Sequence, residues 1–124
     1  MNDKPISTLM QHAVKVVSLD DSVLEVEAFL TREGLSWAPV RGEQAEIIGV
    51  ISDADLRRFH AQQGDPETPA WRQCTYRPIS VSVTTPIGEV ARLMIARRIH
   101  HVVVTQGEEV VGIVSSLDLV RTLV

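Results

Sequence analysis

The chain repeats itself. "GVISDADL" at residues 49–56 has a counterpart, "GIVSSLDL", at 112–119, an offset of 63. Both read glycine, two β-branched residues, serine, two variable residues, aspartate, leucine. "SWAPV" at 36–40 aligns with "HHVVV" at 100–104, and "VSLDDSVLEVEAFL" at 17–30 with "VSVTTPIGEVARLM" at 81–94, both at an offset of 64. A one-residue deletion in the second copy's turn accounts for the change. The chain is therefore two copies of one unit of about sixty residues. A unit so short can hardly bury two helices and a sheet alone. The copies are expected to pack sheet to sheet, as a pseudo-twofold pair. Such a pair also creates two equivalent clefts where the copies meet, and ligands favour clefts of that kind.

Each copy reads β-α-β-β-α. In the first, Val16 to Leu19 is a short extended segment. Asp21 or Ser22 caps a helix, with Glu25 placed to complete a capping box from Ser22. Val23, Val26, Leu30 and Ala28 supply its apolar stripe, and Gly34 ends it. "SWAPV" and "EIIGVI", joined by "RGEQA", read as a hairpin, and Ser52 caps a last helix that runs through Gln62. In the second copy Pro86 is placed in the first turn of a helix, where its missing N–H costs little. That helix ends at Arg97 or Arg98. A hairpin around Gln106-Gly107 and a helix capped by Ser115 follow. The expected division is a first repeat over 5–62, a linker over 63–74 and a second repeat over 75–124. The fold class is mixed α/β.

Composition excludes several classes. Apolar residues make up 44% of the 124 and aromatics only 4%, so the core must be Val, Ile, Leu and Ala. Net charge is −4, which argues against a nucleic-acid partner. Residues 1–62 hold 10 acids and 6 bases, residues 63–124 hold 6 of each. One cysteine, Cys74, permits no internal disulfide and fits a reducing compartment. No apolar run is long enough to span a bilayer and no leader pattern opens the chain. A soluble, cytoplasmic protein with no membrane partner is the expectation.

The segments "GLSWAPV" and "RIHHVVV", the turns "GVISDAD" and "GIVSSLD", and the element order in register together resemble the CBS-domain family in its tandem-pair form. The resemblance covers about residues 5–124. It implies a regulatory module rather than an enzyme. It needs no cofactor for chemistry, but takes an adenosine-containing regulator such as AMP, ADP, ATP, NAD or S-adenosylmethionine. It also implies a homodimer arranged as a four-repeat disc and a separate regulated protein.

The resemblance places the ligand on Ser52 and Asp55 in the first copy and on Ser115 and Asp118 in the second. The chemistry suits those residue types. Ribose offers two adjacent hydroxyls, and a carboxylate accepts from both in charge-assisted bonds. On a helix each aspartate shares a face with the serine three residues before it. The plainer reading makes the serines N-caps and the aspartates partners of the helix dipole. Occurrence of the same pair twice favours binding. Asp53 faces Ser116 in the alignment and reads as a surface residue. On the phosphate side, strand alternation sends His100 and His101 to opposite faces, and His100 is favoured as the phosphate ligand. Ser36 and Trp37 stand there in the first copy. Serine is a weaker phosphate ligand, and Trp37 reads as core. Arg58 and Arg121, each three residues past its aspartate, reach either phosphate or solvent. Adenine recognition falls to the backbone around Ile79 and Ser80, and around Val14 to Val16 in the first copy.

Enzyme readings have little support. Cys74 has no neighbouring histidine in sequence, the histidines lack zinc spacing, and no phosphate-binding glycine loop is present. A module of the same fold that binds no nucleotide is the alternative.

Overall fold

The computed structural model describes residues 3–12, 14–76 and 78–124. It divides into two compact units, one of residues 15–78 and one that joins residues before 15 to 79–124. The repeat boundaries read from sequence are a different cut. In the structure, the segment ahead of each copy's first strand is part of the compact unit built on the other copy.

In the 15–78 unit, β1 (Val17–Ser18) pairs in parallel with β2 (Trp37–Arg41), and β2 pairs antiparallel with β3 (Ile47–Ser52). α1 (Val23–Glu33) connects β1 to β2. Its capping box forms as read: the Glu25 N–H donates to Ser22 Oγ, and the Ser22 N–H to Glu25 Oε1, both at 3.1 Å. Gly34 closes the helix in the left-handed region, φ 67. Val23, Val26 and Leu30 face inward, but Ala28 is exposed. Its place in the apolar stripe is a correction: position 28 falls two residues past Val26, almost opposite it on a 3.6-residue helix.

α2 (Asp53–Ala61) follows β3 without a loop. The stretch expected to be a linker is folded. It contains α3 (Ala70–Gln73) and leads into β4 (Thr75–Tyr76), which pairs antiparallel with β3. Ala70 and Cys74 join Val17, Val26, Leu30, Val40, Ile51 and Phe59 in one core. Complete burial of a valine, leucine or isoleucine contributes about 1.5–3 kcal/mol.

The second unit repeats the plan. β5 (Ser80–Ser82) lies parallel to β6 (His101–Gln106), and β6 antiparallel to β7 (Glu109–Ser115). α4 (Ile87–Arg97) joins β5 to β6, and α5 (Ser116–Val120) follows β7. The register repeats at the expected offset: Val17 opposes Val40 and Val81 opposes Val104. Both hairpins shift register at the same place, after Val40 and after Val104. The turns differ in length. Gly107, φ 64, begins a two-residue turn in the second unit where the first has a longer loop.

Pro86 stands one position outside the first turn, at the N-cap. Proline has no N–H to close a capping box there. A backbone bond at the first helical residue is common to both copies: the Ile87 N–H donates to Lys4 O at 2.9 Å, as the Val23 N–H does to Thr68 O at 2.7 Å. The match extends further. The Ile6 N–H donates to Thr85 O and the Ala70 N–H to Asp21 O, each at 2.7 Å. Ile6 and Met10 fill the second core where Ala70 and Cys74 fill the first. "KPI" at 4–6 and "TPA" at 68–70 are thus the same structural piece.

Candidate functional site

Each Ser-x-x-Asp turn is a complete capping box. Ser52 and Ser115 are N-caps of α2 and α5, and Asp55 and Asp118 occupy the third helical position. Oδ2 of each aspartate accepts from the backbone N–H of its serine at 2.8 Å. Both carboxylates are deeply placed, Asp55 2% and Asp118 8% exposed. The N-cap reading and the binding reading therefore share a carboxylate but use different oxygens. Oδ2 serves the cap, and Oδ1 remains for other partners.

The two Oδ1 atoms differ. That of Asp55 accepts from Thr75 Oγ1 at 3.1 Å and pairs with the Arg58 guanidinium, while Ser52 Oγ donates to Oδ2 at 3.1 Å. Asp118 Oδ1 has longer contacts, 3.3 Å to Arg121 and 3.5 Å to Gln11 Nε2. Arg58 and Arg121 are thus tied to the aspartate three residues back, with exposed side chains.

His100 and Ser36 stand over the starts of the same helices. The Ser116 N–H donates to His100 O at 2.8 Å, and the Asp53 N–H to Ser36 O at 2.9 Å. The His100 ring is exposed, with Nδ1 3.4 Å from Ser116 Oγ. His101 is half-buried at the first position of β6, opposite Ser115. In the second unit the turn thus gathers Ser115, Asp118, His100 and Arg121. Trp37 is buried, as its packing role requires. The Ile79 carbonyl accepts from the Val103 N–H at 3.0 Å, so it serves the sheet, and Ser80 is an exposed residue of β5 opposite Val103. Asp53 is exposed.

Sequence reasoning missed Thr75 and Gln11, the residues that cover the two aspartates. They occupy matching places: Thr75 pairs with Val50 on β3, and Gln11 bridges Ile113 on β7. The signal was the fourth repeat match, Pro5 with Pro69, which also explains the glycine opening each motif. A Cβ on Gly49 would lie 2.5 Å from Thr75 O, and one on Gly112 would lie 2.4 Å from Met10 Sδ.

Burial pushes the Cys74 thiol above its ordinary pKa, with the nearby Asp55 charge acting in the same direction and a Tyr76 hydrogen bond opposing it. Such a thiol is a poor nucleophile. Among the described residues no group of three or more His, Cys, Asp or Glu is gathered closely enough to hold a metal ion. No helix among them is long and apolar enough to cross a membrane.

Comparison with known proteins agrees with this geometry. The model of the CBS domain matches residues 6–61 and 72–124. An uncharacterized conserved protein from Pyrococcus horikoshii is 26% identical, with a TM-score of 0.91 over 99% of this chain and 94% of that one. A CBS domain protein from Pyrobaculum aerophilum, solved in complex with AMP, is 28% identical, with a TM-score of 0.86 over 93% of this chain and 89% of that one. The arabinose 5-phosphate isomerase KpsF of Escherichia coli is 30% identical over 91% of this chain. The chain spans only about a third of the length of that enzyme, 35%. Two matched repeats, each a β-α-β-β-α unit closed by a Ser-x-x-Asp capping box, place this chain in the CBS-domain family.

Proposed function

We propose that the chain is a regulatory module that binds an adenosine-containing ligand at its Ser-x-x-Asp turns and passes occupancy to a separate protein. One observation carries this reading: a buried carboxylate, held by its cap through Oδ2, keeps Oδ1 beside an exposed arginine in both units. A ribose diol presents the paired donors that Oδ1 accepts. The relative from Pyrobaculum aerophilum, solved with AMP, supports the ligand class.

The second unit is the better site. A ribose hydroxyl at Asp118 displaces only the longer contacts from Arg121 and Gln11. His100 lies beside the turn, where its exposed ring can donate a hydrogen bond to a phosphate oxygen. Arg121, released from Asp118, has a side chain long enough to follow. Ser52, Asp55, Arg58 and Ser36 form the weaker counterpart. The base is expected at the backbone around Ile79 and Ser80, and His101 is kept with His100 on the phosphate side.

The chain is taken to act in the cytoplasm. The curated relatives make a sugar-phosphate isomerase the first class of partner to test. A homodimer is the expected working form.

A second reading, an interaction module without nucleotide, is favoured by the full set of partners on Asp55. Thermal melts with AMP, ADP, ATP, NAD and S-adenosylmethionine separate the two. A ligand at about a hundred times its Kd adds about 2.7 kcal/mol of stability. A shift with any of them supports sensing. No shift at millimolar concentration leaves the interaction module standing.

A further inference from the structure

One place in the repeat is filled in the first copy and open in the second. In the second unit, β5 and α4 flank a groove of about 300 Å³ lined by Val81, Thr85, Glu89, Arg92, Leu93 and Ala96. At the matching positions of the first copy, Leu93 is Phe29 and Ala96 is Arg32. Phe29 packs against the core of its unit, and the Arg32 guanidinium lies over the ring, 5.6 Å from its centroid. Trp71 likewise has Ser7 as its counterpart: the Trp71 N–H donates to Leu19 O and the Ser7 N–H to Val83 O. Cover is lost with the rings. Val17 is 3% exposed, whereas its counterpart Val81 is half-buried. The charges differ as well. The Glu25 carboxylate accepts from the Ser22 N–H. Its counterpart Glu89 follows Pro86, which has no N–H, so that carboxylate has no capping box to close. Arg92 stands where the first copy has Ala28. Glu89 and Arg92 are exposed and, three residues apart on α4, lie side by side.

We infer that this groove binds a free aromatic amino acid, with the ring on Val81, Leu93 and Ala96, the ammonium at Glu89 and the carboxylate at Arg92. The first copy supplies the template for the ring, since it places a phenylalanine there. Charge selects the rest of the occupant. An amino acid carries its two opposite charges on one carbon, and the groove offers one acid and one base on adjacent turns of one helix. A phosphate would meet Arg92 but be repelled by Glu89. An apolar groove with a few converging polar groups is the usual form of a small-ligand site, and this volume is at the low end of the range, suited to a single ring. The groove lies within one unit and contains none of Ser115, Asp118 and His100. The inference is therefore independent of the nucleotide reading.

The test is a titration of the chain with L-phenylalanine, followed by the methyl resonances of Leu93 and Val81. Saturable shifts with a dissociation constant of roughly a millimolar are expected. Phenethylamine lacks the carboxylate and hydrocinnamate the ammonium, and each should bind roughly threefold or more weakly than phenylalanine. Leu93→Phe with Ala96→Arg installs the filling that the first copy carries, and should abolish the shift at Val81. Its melting curve shows that it folds, and its titration with AMP reports on sensing separately. Arg92→Ala, also the residue of the first copy, should leave the ring bound but erase the preference for phenylalanine over phenethylamine. No shift at either methyl with about 10 mM phenylalanine would overturn the inference. Shifts that persist at Val81 in the filled variant would overturn it too. Equal binding of N-acetylphenylalanine amide, which carries neither charge, would overturn it in favour of an aromatic side chain from another protein.

Discussion

Asp55 and Asp118 hold equivalent positions but different bonds, and single substitutions should separate two roles. Asp55 gathers Ser52, Arg58 and Thr75, so Asp55→Ala removes the helix cap and the buried carboxylate that these groups share. Its cost in urea denaturation should be about 1–3 kcal/mol. Asp118→Ala loses the cap and two long contacts, and should cost about 1 kcal/mol. Ligand binding should rank the other way, with Asp118→Ala the more damaging. Cys74 gives the residue scale a pH dependence. Its folded pKa is raised by burial, so the folded chain holds the thiol proton more tightly than the unfolded chain. That contribution is complete below the ordinary value of 9.0 and is lost as pH rises through the folded value. Denaturation midpoints measured across the alkaline range should fall less steeply for Cys74→Ala than for the parent chain.

The helix ends and hairpins show what is local and what is not. Gly34 and Arg98 are the same C-cap in the two copies, both left-handed, with φ 67 and φ 54. A side chain there costs about 1–2 kcal/mol. Gly34→Ala should therefore lower stability, and Arg98→Gly should raise it by up to about 1 kcal/mol, as read by thermal melts. No neighbour lies within 4 Å of a Cβ built on Gly34, so the first loss is conformational. At Gly49 the loss is steric. Alanine there meets the Thr75 carbonyl, which is backbone, whereas at Gly112 it meets a movable methionine tip. Gly49→Ala should destabilise more than Gly112→Ala. The capping box of Ser22 and Glu25, the Gly34 stop and both hairpins were legible because each is decided within a few residues. The reason for Gly49 and Gly112 was not, because the obstacle arrives from a segment some 25 or 100 residues away in sequence. The covers on the aspartates, Thr75 and Gln11, were hidden for the same reason. Pro86 was placed one residue too deep, since a proline's fixed φ suits both the N-cap and the first turn.

Across the whole chain, repetition made the family legible, and departures from repetition make the function specific. The two units share register, bulge and caps, yet the first copy has charges on its helical face and a fully bonded Asp55. The second has an apolar helical face and a loosely held Asp118 beside His100. On the proposed reading, one half holds its shape and the other meets the ligand. Calorimetric titration of AMP into the chain, Asp55→Ala and Asp118→Ala tests this most directly. The account predicts that the parent chain binds and that Asp118→Ala weakens binding roughly 10- to 150-fold, the loss of one charge-assisted bond. Asp55→Ala should bind nearly as the parent does. Equal losses in both variants, or a larger loss for Asp55→Ala, would contradict it.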